Sequence, residues 1–175
     1  MKTIIIYSSK TGNTKNVAEA IYAGLNSKYD LELVDMNEIK DIAELNKYDN
    51  ILFGFWVDRG SANQAAKKMI NKIRNKRVGL FCTMGANPDS KHGNDVYKNI
   101  TAKLLHPSNT LIGVGIYNGL VDMGLLNKLK EKPPLFLPKN ILNKMIEAGQ
   151  NSREPNDADF KNAVETFDAA LGKQK

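Results

Sequence analysis

The stretch Ile4-Ile5-Ile6-Tyr7-Ser8-Ser9-Lys10-Thr11-Gly12-Asn13-Thr14 constrains this chain more than any other. A run of β-branched residues stops at a short polar loop. The loop opens into an amphipathic helix with Val17, Ala18, Ile21, Tyr22 and Leu25 on one stripe. Ser9, Thr11 and Thr14 supply hydroxyls, and Gly12 permits a tight turn or a positive φ. The loop ends at a helix N-terminus, where unpaired N–H groups and the helix dipole favour an anion. Strand, loop and helix in this order predict a phosphate-binding turn. The same residue types also cap ordinary helices, so the later loops carry part of the argument.

The rest of the chain alternates strands and helices. The first helix is expected to run to about Tyr29, and Leu31 to Asp35 alternates as a second strand. A short helix is expected around Ile39–Leu45. Ile51-Leu52-Phe53-Gly54-Phe55 and Val78-Gly79-Leu80-Phe81-Cys82 are continuous apolar runs, as in strands buried on both faces. Between them Ala62, Ala65, Ala66, Met69, Ile70 and Ile73 recur at helical spacing. A long loop from Thr83 to Gly93, capped by Ser90, leads to a helix carrying Val96, Ile100 and Leu104. Leu111 to Tyr117 is a fifth strand. This alternation predicts a parallel sheet covered on both faces.

Beyond it the pattern changes. Val121 to Lys130 reads as a helix ended by Pro133-Pro134, and Leu135-Phe136-Leu137-Pro138 as an apolar bridge. Ile141, Leu142, Met145 and Ile146 mark a short helix with Gly149 as its stop. Asn156 is placed to cap a last helix, with Asp157 and Asp159 in its first turn and Gly172 past its end. The expectation is a single domain over residues 1–175 with a helical insertion at about 120–153. That insertion is left with three roles: covering a ligand, forming a homodimer surface, or extending the core.

Composition excludes several classes. Hydrophobic residues make up 42%, so disorder is not expected. No apolar run approaches the ~18 residues of a membrane span, and strand-like sequence begins at once, so a cytoplasmic location is expected. Cys82, the single cysteine, reads as a small core residue. His92 and His106 have no partner at metal spacing, so no metal site is expected. The net charge is +6. Between Arg59 and Pro88 there is no Asp or Glu, while Arg59, Lys67, Lys68, Lys72, Arg74, Lys76 and Arg77 are basic. Such a field favours an acidic partner or a small anionic substrate. No nucleic-acid motif accompanies it, so nucleic acid is not the expected partner.

Ser9-Lys10-Thr11-Gly12-Asn13-Thr14 resembles the flavodoxin phosphate loop, Thr/Ser-x-Thr-Gly-x-Thr, in its place after the first strand. The resemblance covers about Met1–Asn118 and, more weakly, the last helix. It implies a flavodoxin-like α/β fold: a doubly wound five-stranded parallel sheet, order 2-1-3-4-5, with helices on both faces. It implies FMN as cofactor, bound outside the carboxyl ends of the strands where Ser8–Thr14, Trp56–Ser61 and Thr83–Gly93 converge. Ser9, Lys10, Thr11, Gly12, Asn13 and Thr14 would then surround the phosphate. Phe55, Trp56, Val57 and Asp58 would meet the ring, with Trp56 stacked on it. Thr83, Met84, Gly85 and Ala86 would hold the pyrimidine edge.

Three departures from the family pattern stand out. Val57 occupies the position where many flavodoxins have a glycine whose peptide flips toward the flavin. The third loop has no tyrosine to cover the ring; Tyr97 falls in the following helix. The chain is basic where many electron-shuttling flavodoxins are acidic. The implied function is electron carriage to an acidic redox partner, with no catalytic residue of the protein's own. Two rivals stay open: an FMN-dependent reductase, or reductase subunit, acting on a quinone, tetrapyrrole or bilin; and a cofactor-free binding module on the same fold.

Overall fold

Ile4, Ile5 and Ile6 divide the molecule between them. Side chains alternate along a strand, so in β1 (Thr3–Tyr7) Ile4 and Ile6 enter one apolar cluster and Ile5 the other. The computed structural model describes residues 1–133 and 138–173. The apolar bridge at Leu135–Leu137 lies outside them. The sheet runs β2 (Leu31–Asp35), β1, β3 (Asn50–Asp58), β5 (Arg77–Met84), β6 (Thr110–Asn118), every neighbouring pair parallel. Leaving out β4, a two-residue arm at Ser61–Ala62, this is the expected 2-1-3-4-5 order. One face packs on α1 (Asn13–Leu25) and α6 (Asp157–Gly172), through Val17, Ile21, Phe81 and Phe167. The other packs on α2 (Gln64–Ile70) and α3 (Lys91–Lys103), through Phe53, Phe55, Ile70 and Val96.

The second loop differs from expectation. Trp56–Ser61 is no open loop: β3 continues through Trp56 and Val57 to Asp58, then turns back antiparallel into β4, pairing Val57 with Ala62 and Asp58 with Ser61. Aromatic and β-branched residues favour a pleated strand. The turn residues Arg59 and Gly60 both have positive φ, 49° and 76°, as a two-residue hairpin turn that follows the strand twist requires. Ala62 is therefore in β4, and Ile73 lies beyond the end of α2 while still reaching the core. α1 stops at Leu25, short of Tyr29. The helix expected at Ile39–Leu45 is replaced by short 3₁₀ turns at Met36–Glu38 and Ile42–Lys47.

The C-terminal third folds as α4 (Met123–Glu131) and α5 (Lys139–Gln150) before α6. Gly149 does not stop α5. It lies inside the helix, where a Cβ would come within 2.7 Å of Leu126 Cδ1, so its bare backbone admits that side chain. Asn156 does cap α6: its side chain accepts from Asp159 N–H, and the Asp159 carboxylate accepts from Asn156 N–H. Gly172 is the last residue of α6 rather than the residue beyond it.

Candidate functional site

The site is built where β1, β3 and β5 end. α1 begins on Gly12, whose φ of 92° only glycine adopts freely, and no side chain caps the helix. Among the described residues no acceptor meets the N–H groups of Asn13, Thr14 and Lys15. Ser9 Oγ is buried and likewise has no partner. A concave turn with orphan donors at a positive helix end fits an anion. Thr11 and Lys10 are exposed at its rim.

Two expected phosphate ligands are engaged within the protein. The buried Asn13 side chain donates to Thr11 Oγ1 at 2.8 Å and to the Leu120 carbonyl at 3.0 Å. Thr14 Oγ1 shares a 2.9 Å hydrogen bond with Thr83 Oγ1, both residues buried. That bond joins the first helix to β5 across 69 positions of sequence.

Trp56 alternates with Phe55 and so points to the α1 side of the sheet, beside Thr83 in register. It is only half-buried. Phe55 is fully buried on the opposite face, as is Met84, and Ala86 packs on the same core. Their side chains do not face the α1 side, whatever their backbones do. Val57 is held extended in the hairpin, without a positive φ. Asp58 forms the last rung of that hairpin.

The sequence reading missed Asn63. Its N–H donates to the Trp56 carbonyl at 3.1 Å, and its side-chain amide to Ser8 Oγ at 3.1 Å. Ser8 N–H in turn donates to the Gly54 carbonyl at 2.9 Å. Asn63 thus clasps the Trp56 hairpin to the turn that follows β1. An Asn before a helix reads as an N-cap, and that signal pointed elsewhere: the side chain makes no cap bond to α2.

Residues 119–122 cross the mouth between the loops. Gly119 N–H donates to the Met84 carbonyl at 2.9 Å. Val121 lies on Gly85 so closely that a Cβ there would sit 2.1 Å from Val121 Cγ2. Asp122 pairs with Lys10 at 3.2 Å, and Val121 N–H donates to Ser152 Oγ at 3.0 Å. The segment therefore ties the first and third loops to Ser152, beyond the end of α5.

Three residues of the basic run lie elsewhere. Arg74, Lys76 and Arg77 sit at the amino-terminal edge of the sheet, opposite the site. There Arg74 donates to the Asn71 and Ile73 carbonyls, Lys76 to those of Asn46 and Tyr48, and Arg77 to Asn50 and the Ala170 carbonyl. Cys82 is fully buried, and burial pushes its thiol pKa up, so it is a core residue as expected. His92 is exposed. Among the described residues no cluster of metal-ligating side chains occurs, and no helix is long and apolar enough to cross a membrane.

Comparison with known proteins bears on the fold and the family. The chain is 35% identical over 132 residues to the flavodoxin-like domain-containing protein BilS of Clostridioides difficile (strain CD3), covering 75% of this chain and 73% of that one. It is 24% identical over 184 residues to the protein of the same name in Clostridium symbiosum (strain WAL-14163), covering 98% and 86%. The crystal structure of oxidised flavodoxin 1 from Bacillus cereus superposes with a TM-score of 0.61 at 16% identity over 100% of both chains. The Streptococcus pneumonia TIGR4 flavodoxin does so with a TM-score of 0.58 at 11% identity, over 99% and 100%. At such identities the two structures speak for the fold. The family model for the flavodoxin domain matches residues 4–168, and with it the chain belongs to the flavodoxin family.

Proposed function

We propose that this protein binds FMN non-covalently and passes electrons between redox partners. The observation that carries the reading is the uncapped start of α1, where three backbone N–H groups and Ser9 Oγ lack acceptors among the described residues, beside a half-buried tryptophan. Those donors, with the Thr11 hydroxyl, would hold the phosphate. Lys10 adds positive charge at the rim, and Asn13 and Thr14 fix the turn from inside. Trp56 would lie against the ring, excluding water and adding dispersion contact. The backbone of Thr83 to Ala86 would meet the polar edge of the ring. Bound flavin supplies reversible one- and two-electron transfer, while the protein contributes binding, orientation and tuning. The absorption spectrum of purified protein during FMN addition tests this. A one-to-one complex with shifted flavin bands is expected. A colourless protein that leaves FMN fluorescence unchanged would favour the cofactor-free module.

One observation favours a second reading, an FMN-dependent reductase of a small molecule. An open groove of about 780 Å³ runs beside the third loop, between Gly85–Ser90, the end of β6 and α5, its wall carrying Lys144 and Arg153 together with Asp89, Glu147 and Asp159, the last paired with Arg153. Turnover of a small-molecule acceptor with a nicotinamide donor would select this reading. Stable reduction without acceptor consumption selects the carrier.

A further inference from the structure

Three of the seven basic residues that the sequence sets in one run, Arg74, Lys76 and Arg77, are held at the wrong end of the sheet for a partner that must approach flavin. A different surface meets that need. Segment 120–153 carries six basic side chains, Lys128, Lys130, Lys132, Lys139, Lys144 and Arg153, against three acidic ones. All five lysines are exposed, and Lys128, Lys130, Lys139 and Lys144 make no ion pair among the described residues. Among them stand apolar side chains that a buried helix pair would not leave outside: Met123 is 51% exposed, Ile141 45% and Met145 46%. Ile141 and Met145 are four apart on α5 and share a face. α4 and α5 pack on each other, Leu126 against Gly149, and Met123, Ile141 and Met145 remain exposed outside that contact.

The position matters as much as the chemistry. The excursion is fastened at its start to the loops of the proposed flavin site, through Leu120 to Asn13, Asp122 to Lys10 and Val121 to Gly85, and its end returns to that start through the Val121 N–H to Ser152 Oγ bond. We propose that the α4–α5 hairpin is the docking surface for an acidic electron-transfer protein, seating an apolar patch rimmed by carboxylates on Ile141, Met145 and the surrounding lysines. This rests on the FMN-carrier reading and adds to it the partner's chemistry and place. Flexible methionine and aliphatic contacts adapt to a partner, while the lysine rim raises the rate of encounter and is weakened by salt.

The test uses a plant-type ferredoxin, a strongly acidic one-electron protein, as the probe. Zero-length carbodiimide cross-linking of lysine to carboxylate is mapped by mass spectrometry on the full chain, with and without added FMN. Stopped-flow electron transfer from reduced ferredoxin is followed on FMN-loaded protein. Three variants are compared: Lys128→Glu/Lys130→Glu/Lys139→Glu on the hairpin, Lys67→Glu/Lys68→Glu/Lys72→Glu at α2, and the uncharged pair Ile141→Ser/Met145→Ser. Cross-links at Lys128, Lys130 or Lys139 are expected. The hairpin charge variant should slow transfer about fivefold or more at low salt and little at high salt, and the α2 variant should not. The serine pair should slow transfer at both salt concentrations while FMN affinity stays unchanged. Cross-links confined to α2, cross-links joining two copies of this chain, or an absence of any salt-dependent complex would each overturn the proposal. So would co-sedimentation with phosphatidylglycerol vesicles and no response to ferredoxin. A chain that takes up no flavin removes the carrier reading, and the flavin-free cross-link map still decides the docking surface.

Discussion

Thr11 and Thr14 belong to the same six-residue motif but sit in unlike surroundings. Thr14 Oγ1 is buried against Thr83 Oγ1, whereas Thr11 is exposed at the rim. Thr14→Ala would leave a buried hydroxyl on Thr83 unpaired, at a cost of about 1–3 kcal/mol in folding stability. Urea denaturation of the flavin-free protein measures it. Thr11→Ala removes the acceptor of one Asn13 amide hydrogen, but at the exposed rim, where water can replace it, and should cost less stability than Thr14→Ala. It should weaken FMN about tenfold or more, the worth of one hydrogen bond to a charged group, and should leave riboflavin affinity alone, since riboflavin lacks the phosphate. Equal losses for FMN and riboflavin would exclude a role at the phosphate. At the other end of the sheet, Glu32 accepts from Lys2 at 2.7 Å and from the Tyr48 hydroxyl, and these bonds hold its carboxyl below the ordinary value of 4.5. A depressed folded-state pKa contributes stability above the unfolded value and loses it as pH falls through the folded one. Unfolding midpoints measured from pH 6 down to about pH 3 should therefore decline less steeply in Glu32→Gln than in the parent. Burial, then the bond to Glu32, pushes the Tyr48 phenol up from 10.0 to about 12, so the contribution of that group is lost as pH rises from the unfolded value through the folded one.

Elements were legible where one residue type has one consequence. The isoleucines of β1, the apolar runs of β3 and β5, and the Asn156–Asp159 box announce themselves through local rules. Asn156→Ala should cost about 1 kcal/mol, read as a lower thermal midpoint. The hairpin at β3–β4 was hidden because one of its two positive-φ residues is Arg59, a side chain that gives no warning of that conformation. Gly149 misled for the opposite reason. Glycine commonly ends helices, but here it makes space for Leu126, a partner chosen by packing rather than by sequence neighbourhood. The fastening of Asn13 and Lys10 to residues 120 and 122 was likewise out of reach, because contacts separated by more than a hundred positions leave no periodicity to read.

Across the whole molecule the two ends of the sheet do different work. The amino ends of the strands carry arginine and lysine side chains satisfied by backbone carbonyls, and the carboxyl ends carry donors left without acceptors. A ligand that completes those donors binds only the folded chain. FMN at one hundred times its dissociation constant should thus stabilise the protein by about 2.7 kcal/mol, seen as a concentration-dependent rise in the unfolding temperature. The hydrogen bond from Val121 N–H to Ser152 Oγ carries a separate implication. The polypeptide departs from the sheet and comes back to the spot it left, so residues 122–151 form a closed detour. No strand has to be rethreaded if that detour is lengthened, shortened or exchanged. Its outer face is then free to follow a changing partner from one lineage to the next, while the cradle beneath it stays as it is.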